Sequence, residues 1–126
     1  MVSFATVNRN GHPRVKPFSI VKVEEGKIYF FTGSFKELYK DLKANPNVEF
    51  SIQGKGKSIR VRGVIMFEEN SEVVNKYLDE NPGYRELYKE RIEMLKLFYI
   101  KHGEVYIFNM KELFTKNIHF AFNLTE

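Results

Sequence analysis

No cysteine occurs among the 126 residues. A disulfide framework, a zinc site built on thiolates and a thiol nucleophile are thereby excluded. Long apolar runs are missing as well. None approaches the roughly 18 residues of a membrane helix, and no charged-then-apolar leader opens the chain. A soluble, cytoplasmic protein is the expectation. Charge of one sign is in short supply: 20 Lys and Arg stand against 16 Asp and Glu, a formal net charge of +4. That balance admits an anionic ligand but falls short of the basic stripe of a DNA-binding domain. No G-x-x-x-x-G-K loop occurs, so nucleoside triphosphate binding has no support, and no G-x-S-x-G elbow points to a hydrolase. Repeats, low-complexity segments and linkers are absent too, and the length suits one domain, residues 1–126.

Aromatic side chains, by contrast, are plentiful: twelve Phe and seven Tyr in a chain that is 43% hydrophobic. Such a composition favours strands. "VSFATVN" predicts a first strand, Asn10-Gly11 a turn, "RVKPFSIVKVEE" a second strand, Glu25-Gly26 a turn and "KIYFFT" a third strand. A helix over residues 35–44 follows, because Phe35, Leu38, Tyr39 and Leu42 recur at helical spacing, and Pro46 ends it. "VEFSIQ" and "SIRVRGVIMFEE" are further strands, on either side of the loop "GKGK". Ser71 is expected to cap a second helix, "YRELYKERI" to form a short helical piece, and "MLKLFYI", a tight "KHG" turn and "EVYIFNM" to form a final hairpin. Sequential hairpins imply a mainly antiparallel sheet. Six or seven strands with short helices in so few residues favour a mainly β fold, a small closed or split barrel. Its edges need cover, which a homodimer would supply.

The turn into the first helix concentrates the chemistry. In "SFKE" Ser34 is a good N-cap with Glu37 three residues on, a capping box. Lys36 then lies where the helix dipole disfavours a cation. Free N–H groups at a helix start, the hydroxyls of Thr32 and Ser34 and the Lys36 ammonium suit a phosphate monoester. A well-made helix start accounts for the same residues. On the second strand Arg14 and Lys16 share one face about 7 Å apart, and Pro17, with no N–H to donate, marks an edge, a bulge or a strand end. "SIRVRG" puts Arg60 and Arg62 on one face and Ile59, Val61, Ile65 and Phe67 on the other. These basic residues fit an anion held over a barrel, and equally an exposed basic face.

Taken in order, "FATVNRNGHPRVKPFSIV", "GKIYFFTGSFKELYKDLKANPNVEFSI" and "IRVRGV" resemble the pyridoxamine 5′-phosphate oxidase-like family of FMN-binding split barrels, and the remainder resembles its small stand-alone members. The resemblance implies a homodimer with FMN at the subunit interface, and an FMN-dependent oxidoreductase acting on a small molecule. It implies that Arg14 contacts the flavin phosphate, and that the backbone of Val15, Lys16 and Pro17 runs along the isoalloxazine. Phe31 and Thr32 match the pair ending the third strand, where Thr32 reaches the phosphate or the ribityl chain. Ser34, Phe35 and Lys36 match the helix start, where Lys36 is the phosphate lysine and Phe35 replaces a commoner basic residue. Ser58 falls where the family often has Gln or Trp near the ring, and Arg60 is added for its charge and proximity. No catalytic side chain is assigned, because the flavin carries the chemistry. The Arg-x-His type of element with which the oxidases recognise pyridoxine is absent from the tail "HFAFNLTE", so true pyridoxamine phosphate oxidase activity is not expected.

His12, His102 and His119 show no metal-ligand spacing, and none matches the histidine of nitroimidazole-reducing relatives. Two alternative readings remain: the same fold with deazaflavin or haem, and a small basic barrel that binds single-stranded nucleic acid. A single phosphate site focused on Lys36 favours the flavin over the nucleic acid.

Overall fold

The computed structural model describes residues 1–109 and 118–123. Its eight strands are β1 (Val2–Val7), β2 (Pro13–Phe18), β3 (Lys22–Glu24), β4 (Lys27–Gly33), β5 (Asn47–Gly54), β6 (Lys57–Glu68), β7 (Leu95–Asn109) and β8 (Ile118–Asn123). Three helices, α1 (Glu37–Ala44), α2 (Ser71–Glu80) and α3 (Pro82–Tyr88), and a stretch of 3-10 turns at Lys89–Met94 fill the connections. Every strand pairing is antiparallel, in the order β2-β1-β5-β6-β7-β4-β3, with β8 also on β7.

One short link shows that this sheet is rolled. The two end strands, β2 and β3, are joined only by residues 19–21. Laid flat, seven strands would hold their outer members about 29 Å apart at about 4.8 Å per spacing. Four residue steps span roughly 14 Å at most. The sheet must therefore curl until its edges approach, which makes a barrel. The run "RVKPFSIVKVEE" is thus not one strand: it pairs with β1 before the link and with β4 after it, where the Val21 N–H donates to the Tyr29 carbonyl at 2.9 Å. Phe18, just before the link, turns in against Phe4 and Phe30, with ring centroids 5.1 and 5.7 Å away.

The expected final hairpin is also absent. "KHG" lies inside a single 15-residue strand, β7. Residues 95–99 pair with β4 and residues 102–107 with β8, while β6 runs along the other side of both halves. The register shifts between Val64 and Ile65, so Lys101 is left over as a bulge on β7. A bulge bends its strand and raises its twist, which lets β7 leave β4 and take up β8. Gly63 stands opposite Gly103 at this point, and a Cβ on Gly63 would come 2.2 Å from the His102 carbonyl oxygen. The backbones approach too closely there for any side chain, and a hairpin turn is not why "KHG" carries a glycine. Met110, the last residue of the expected hairpin, lies outside the described residues.

Alternation along the strands sorts the side chains into two clusters. Inside the barrel Phe4, Phe30, Phe50 and Phe98 are almost fully buried, and Leu38 and Leu42 of α1 close one end over them. Outside, Tyr29, Phe31, Leu97 and Tyr99 alternate with those residues and are covered by Tyr77 and Leu78 of α2. The Tyr77 hydroxyl donates to the Glu24 carboxylate, which Lys76 also approaches. That bond and Lys76 hold the Glu24 carboxyl below its usual range, while burial and the same bond push the Tyr77 phenol up. Asn70, rather than Ser71, caps α2, its side chain accepting the Glu72 N–H at 3.0 Å. Among the described residues no helix is long and apolar enough to cross a membrane.

Candidate functional site

The first helix starts later than its sequence pattern suggests. The β4–β7 ladder runs on to Gly33, paired with Leu95, and the next N–H, that of Ser34, donates to the Met94 carbonyl at 2.7 Å. Ser34 and Phe35 then form a turn, closed by the Lys36 N–H donating to the Gly33 carbonyl at 3.0 Å, so Ser34 lies too early to cap. Lys36 becomes the N-cap instead, extended at φ −82° and ψ 149°, with no side-chain cap bond. The capping box of "SFKE" is therefore not formed. Phe35 precedes the helix instead of joining its buried stripe, and stays 58% exposed. Its ring lies 6.1 Å from that of Tyr88. A Cβ on Gly33 would meet both rings, 2.5 Å from Phe35 Cε1 and 2.7 Å from Tyr88 Oη. Only glycine leaves them room to close over the turn.

Two open clefts take lining residues from this helix start. One, of about 690 Å³, is lined by Arg14, Val15 and Lys16 of β2, by Arg9, and by Glu37 and Asp41 of α1. Arg14 and Lys16 stand opposite Thr6 and Phe4 in register, so they face the barrel side of the sheet, as the two-residue spacing requires. Residues 13–17 are all exposed, and β2 pairs with β1 alone, so Pro17 occupies an edge strand where its missing N–H costs no ladder bond. Arg9 is spent on α1: it bonds Glu37, and its Nε donates to Asp41 Oδ1 at 2.9 Å. The other cleft, of about 430 Å³, is lined by Phe35, Lys36, Leu87, Tyr88, Arg91 and Met94.

Among the described residues Arg14, Lys16, Lys36 and Arg91 have no carboxylate partner. Arg14 donates only to the Pro13 carbonyl beside it. Phe31 and Thr32 precede the turn and are buried, Phe31 against Tyr84 on the outer side and Thr32 on the Phe30 side. The Thr32 hydroxyl is enclosed without a hydrogen-bond partner. An unmade bond of this kind costs about 1–3 kcal/mol. Replacing Thr32 with valine should therefore stabilise the ligand-free protein by about 1 kcal/mol, read as a higher urea midpoint at constant m-value. A lower midpoint would mean that the hydroxyl has a partner.

Ser58 and Arg60 are not brought to this place. They lie on β6, three strand spacings from β2, or about 14 Å. Arg60 stands in one row with Ser51, Ser3 and Pro17, on the opposite face from Arg14 and Lys16. There Arg60 and Arg62 approach the Tyr106 ring, and Arg62 binds Glu49 at 2.8 Å. His119, on β8, stacks on Tyr106 and bonds Glu104. Glu49 and Glu104 interrupt the basic character of this face, which is not the unbroken groove a nucleic acid strand would track.

Arg91, Tyr88 and Leu87 escaped the sequence reading. "YRELYKERI" shows only helical spacing, and nothing local marks its last arginine. The joint between α3 and the 3-10 turns carries a sign visible only in three dimensions. Lys89 has φ 50° and ψ −123°, a backbone that costs a non-glycine residue about 1–3 kcal/mol.

A rolled antiparallel sheet whose central strand changes partners, with free cations at one end, defines a small protein of the split-barrel class. The family profile described as pyridoxamine 5′-phosphate oxidase matches residues 1–107, and the chain belongs to that family. Among solved structures, a NimC/NimA family protein from Clostridium acetobutylicum is 30% identical with a TM-score of 0.81, covering 96% of this chain and 82% of that one. An F420 reductase, 19% identical at TM-score 0.58 over 79% of this chain and 82% of its own, shares the fold. So does a haem-binding protein from Mycobacterium smegmatis, 13% identical at TM-score 0.67 over 97% of this chain and 52% of its own. No curated protein matches the sequence.

Proposed function

We propose that the protein binds FMN and is a flavin-dependent oxidoreductase of a small molecule other than pyridoxamine 5′-phosphate, working as a homodimer with the flavin between subunits. The observation that carries this reading is the set of cations without counter-ions among the described residues, Arg14 and Lys16 in the cleft beside Glu37, and Lys36 at the N-cap of α1. A flavin phosphate supplies the missing negative charge. The groups present fit the rest of the ligand: the bare edge of β2 offers backbone groups to the polar rim of the ring. When bound, the flavin would supply hydride and electron transfer. The chain's own task is to hold the phosphate with Lys36 and Arg14, orient the ring along residues 15–17 and keep water from it.

The uncovered apolar residues support a second subunit. Ile52, Ile59, Ile107 and Ile118 form one cross-strand row, in which Ile52 and Ile59 are 37% exposed and Ile118 is 54% exposed. Val15, in the cleft itself, is 70% exposed. Ser58 and Arg60 could reach such a flavin only from a second copy of the chain. The F420 reductase and the haem-binding protein of the same fold make deazaflavin and haem the competing ligands.

One preparation tests all of this. The purified protein should be yellow or take up added FMN, release it on denaturation, and sediment at equilibrium as twice the 14.9 kDa chain. A haem or deazaflavin spectrum, or a colourless monomer indifferent to FMN, would overturn the proposal.

A further inference from the structure

The turn into α1 carries Phe35 beside Lys36, so it supplies a single ammonium. A phosphate monoester carries up to two negative charges, and of the cations assigned to it Arg14 lines one cleft and Lys36 the other, beside Phe35. The tertiary structure brings a further cation to the same cleft. The Ser34 N–H is fixed to the Met94 carbonyl, and the Tyr88 hydroxyl lies over Gly33. The segment between Tyr88 and Met94 is thereby held against the turn from both ends. Arg91, midway along it, lines the cleft beside Lys36. Neither side chain has a hydrogen bond or ion pair among the described residues, although Glu90 and Glu93 flank Arg91 in sequence. Two cations without a carboxylate partner among the described residues, on one cleft, suit an anion.

We infer that Arg91 is a further phosphate-binding cation of the site, beside Lys36 and in addition to Arg14. Its guanidinium and the Lys36 ammonium close on a phosphate monoester, that of the bound flavin, and Arg91 does for this chain what a basic residue at position 35 would do. The planar fork suits two phosphate oxygens at once, where an ammonium offers a point charge. This inference rests on the flavin reading.

FMN and riboflavin, which differ only in the phosphate, are titrated by flavin fluorescence into the ligand-free parent, Arg91→Gln, Arg91→Lys and the double variant Arg91→Gln with Phe35→Arg. Arg91→Gln should weaken FMN binding about tenfold and leave riboflavin within about twofold. Arg91→Lys, which keeps the charge without the fork, should recover part of the loss, and Phe35→Arg most of it. Arg85→Gln, which removes an arginine already paired with Asp79, should change neither ligand. Equal weakening of both flavins by Arg91→Gln, or no weakening of either, overturns the assignment of Arg91. If Lys36→Ala still separates FMN from riboflavin in that case, the flavin reading survives. A parent that binds neither flavin ends both.

Discussion

Replacing Lys36 with alanine should weaken FMN binding about tenfold to a hundredfold and leave riboflavin binding almost unchanged. A charge-assisted hydrogen bond to a phosphate is worth roughly 1.5–3 kcal/mol, and each decade of affinity corresponds to about 1.4 kcal/mol. The side chain stands on the N-cap of α1, lines a cleft and has no partner among the described residues. Its loss should therefore cost the empty protein nothing. It makes no cap bond, and a cation at the positive end of a helix is mildly unfavourable. Titrating both flavins into both proteins, together with a urea melt of each empty protein, measures the two halves of this expectation. Equal losses for FMN and riboflavin would remove Lys36 from the phosphate site. A large loss of stability without ligand would give the residue a structural role that its exposure does not suggest.

Phe98→Ala should cost about 3–5 kcal/mol of folding stability, against a total of about 5–15 kcal/mol for a domain of this kind. Phe98 is completely buried, and its ring lies 5.4 Å from Phe30, 5.9 Å from Phe67, 6.0 Å from Phe4 and 6.2 Å from Phe18. It also sits on β7, the strand that joins both halves of the barrel, between β4 and β6. Truncation removes the ring from among neighbours that are themselves held by the rolled sheet, so the cavity cannot collapse freely. Phe35→Ala is the matched control. With its ring mostly in solvent it should cost less than about 1 kcal/mol. Urea denaturation of the two variants decides the matter, and similar losses would show that the barrel interior is not where the stability resides.

Phe35 and Phe98 also show where sequence reasoning stops. Both occupy positions that fit an apolar stripe. Phe98 falls in "MLKLFYI", which reads as a strand from its near neighbours alone, and it lies in one. The helical spacing of Phe35 was equally regular, yet the residue lies outside the helix. The competing bond, from the Ser34 N–H to the Met94 carbonyl, comes from a residue 60 positions along the chain. Similarly, Arg14 and Lys16 were assigned correctly to one face of a strand, whereas Arg60 was grouped with them by charge and stands on the other face. Lys36 was recognised as a cation at the start of the helix, while Arg91, its neighbour in the cleft, had no local mark.

What the sequence by itself determined is the local part. Strand periodicity placed Arg14 and Lys16 on one face, and Glu25-Gly26 could make a two-residue hairpin turn because both residues adopt positive φ. The order of motifs along the first half identified the family. These depend on a residue and its near neighbours, whose sterics hold whatever the rest of the chain does. The tertiary structure alone decided that "RVKPFSIVKVEE" breaks at residues 19–21, that "KHG" runs straight through a bulge, and that Lys36 shares its cleft with Arg91. Each of those outcomes depends on which distant segments meet. A three-residue link can join the two edges of a seven-stranded sheet only once the whole sheet has rolled, and no window of sequence contains that condition.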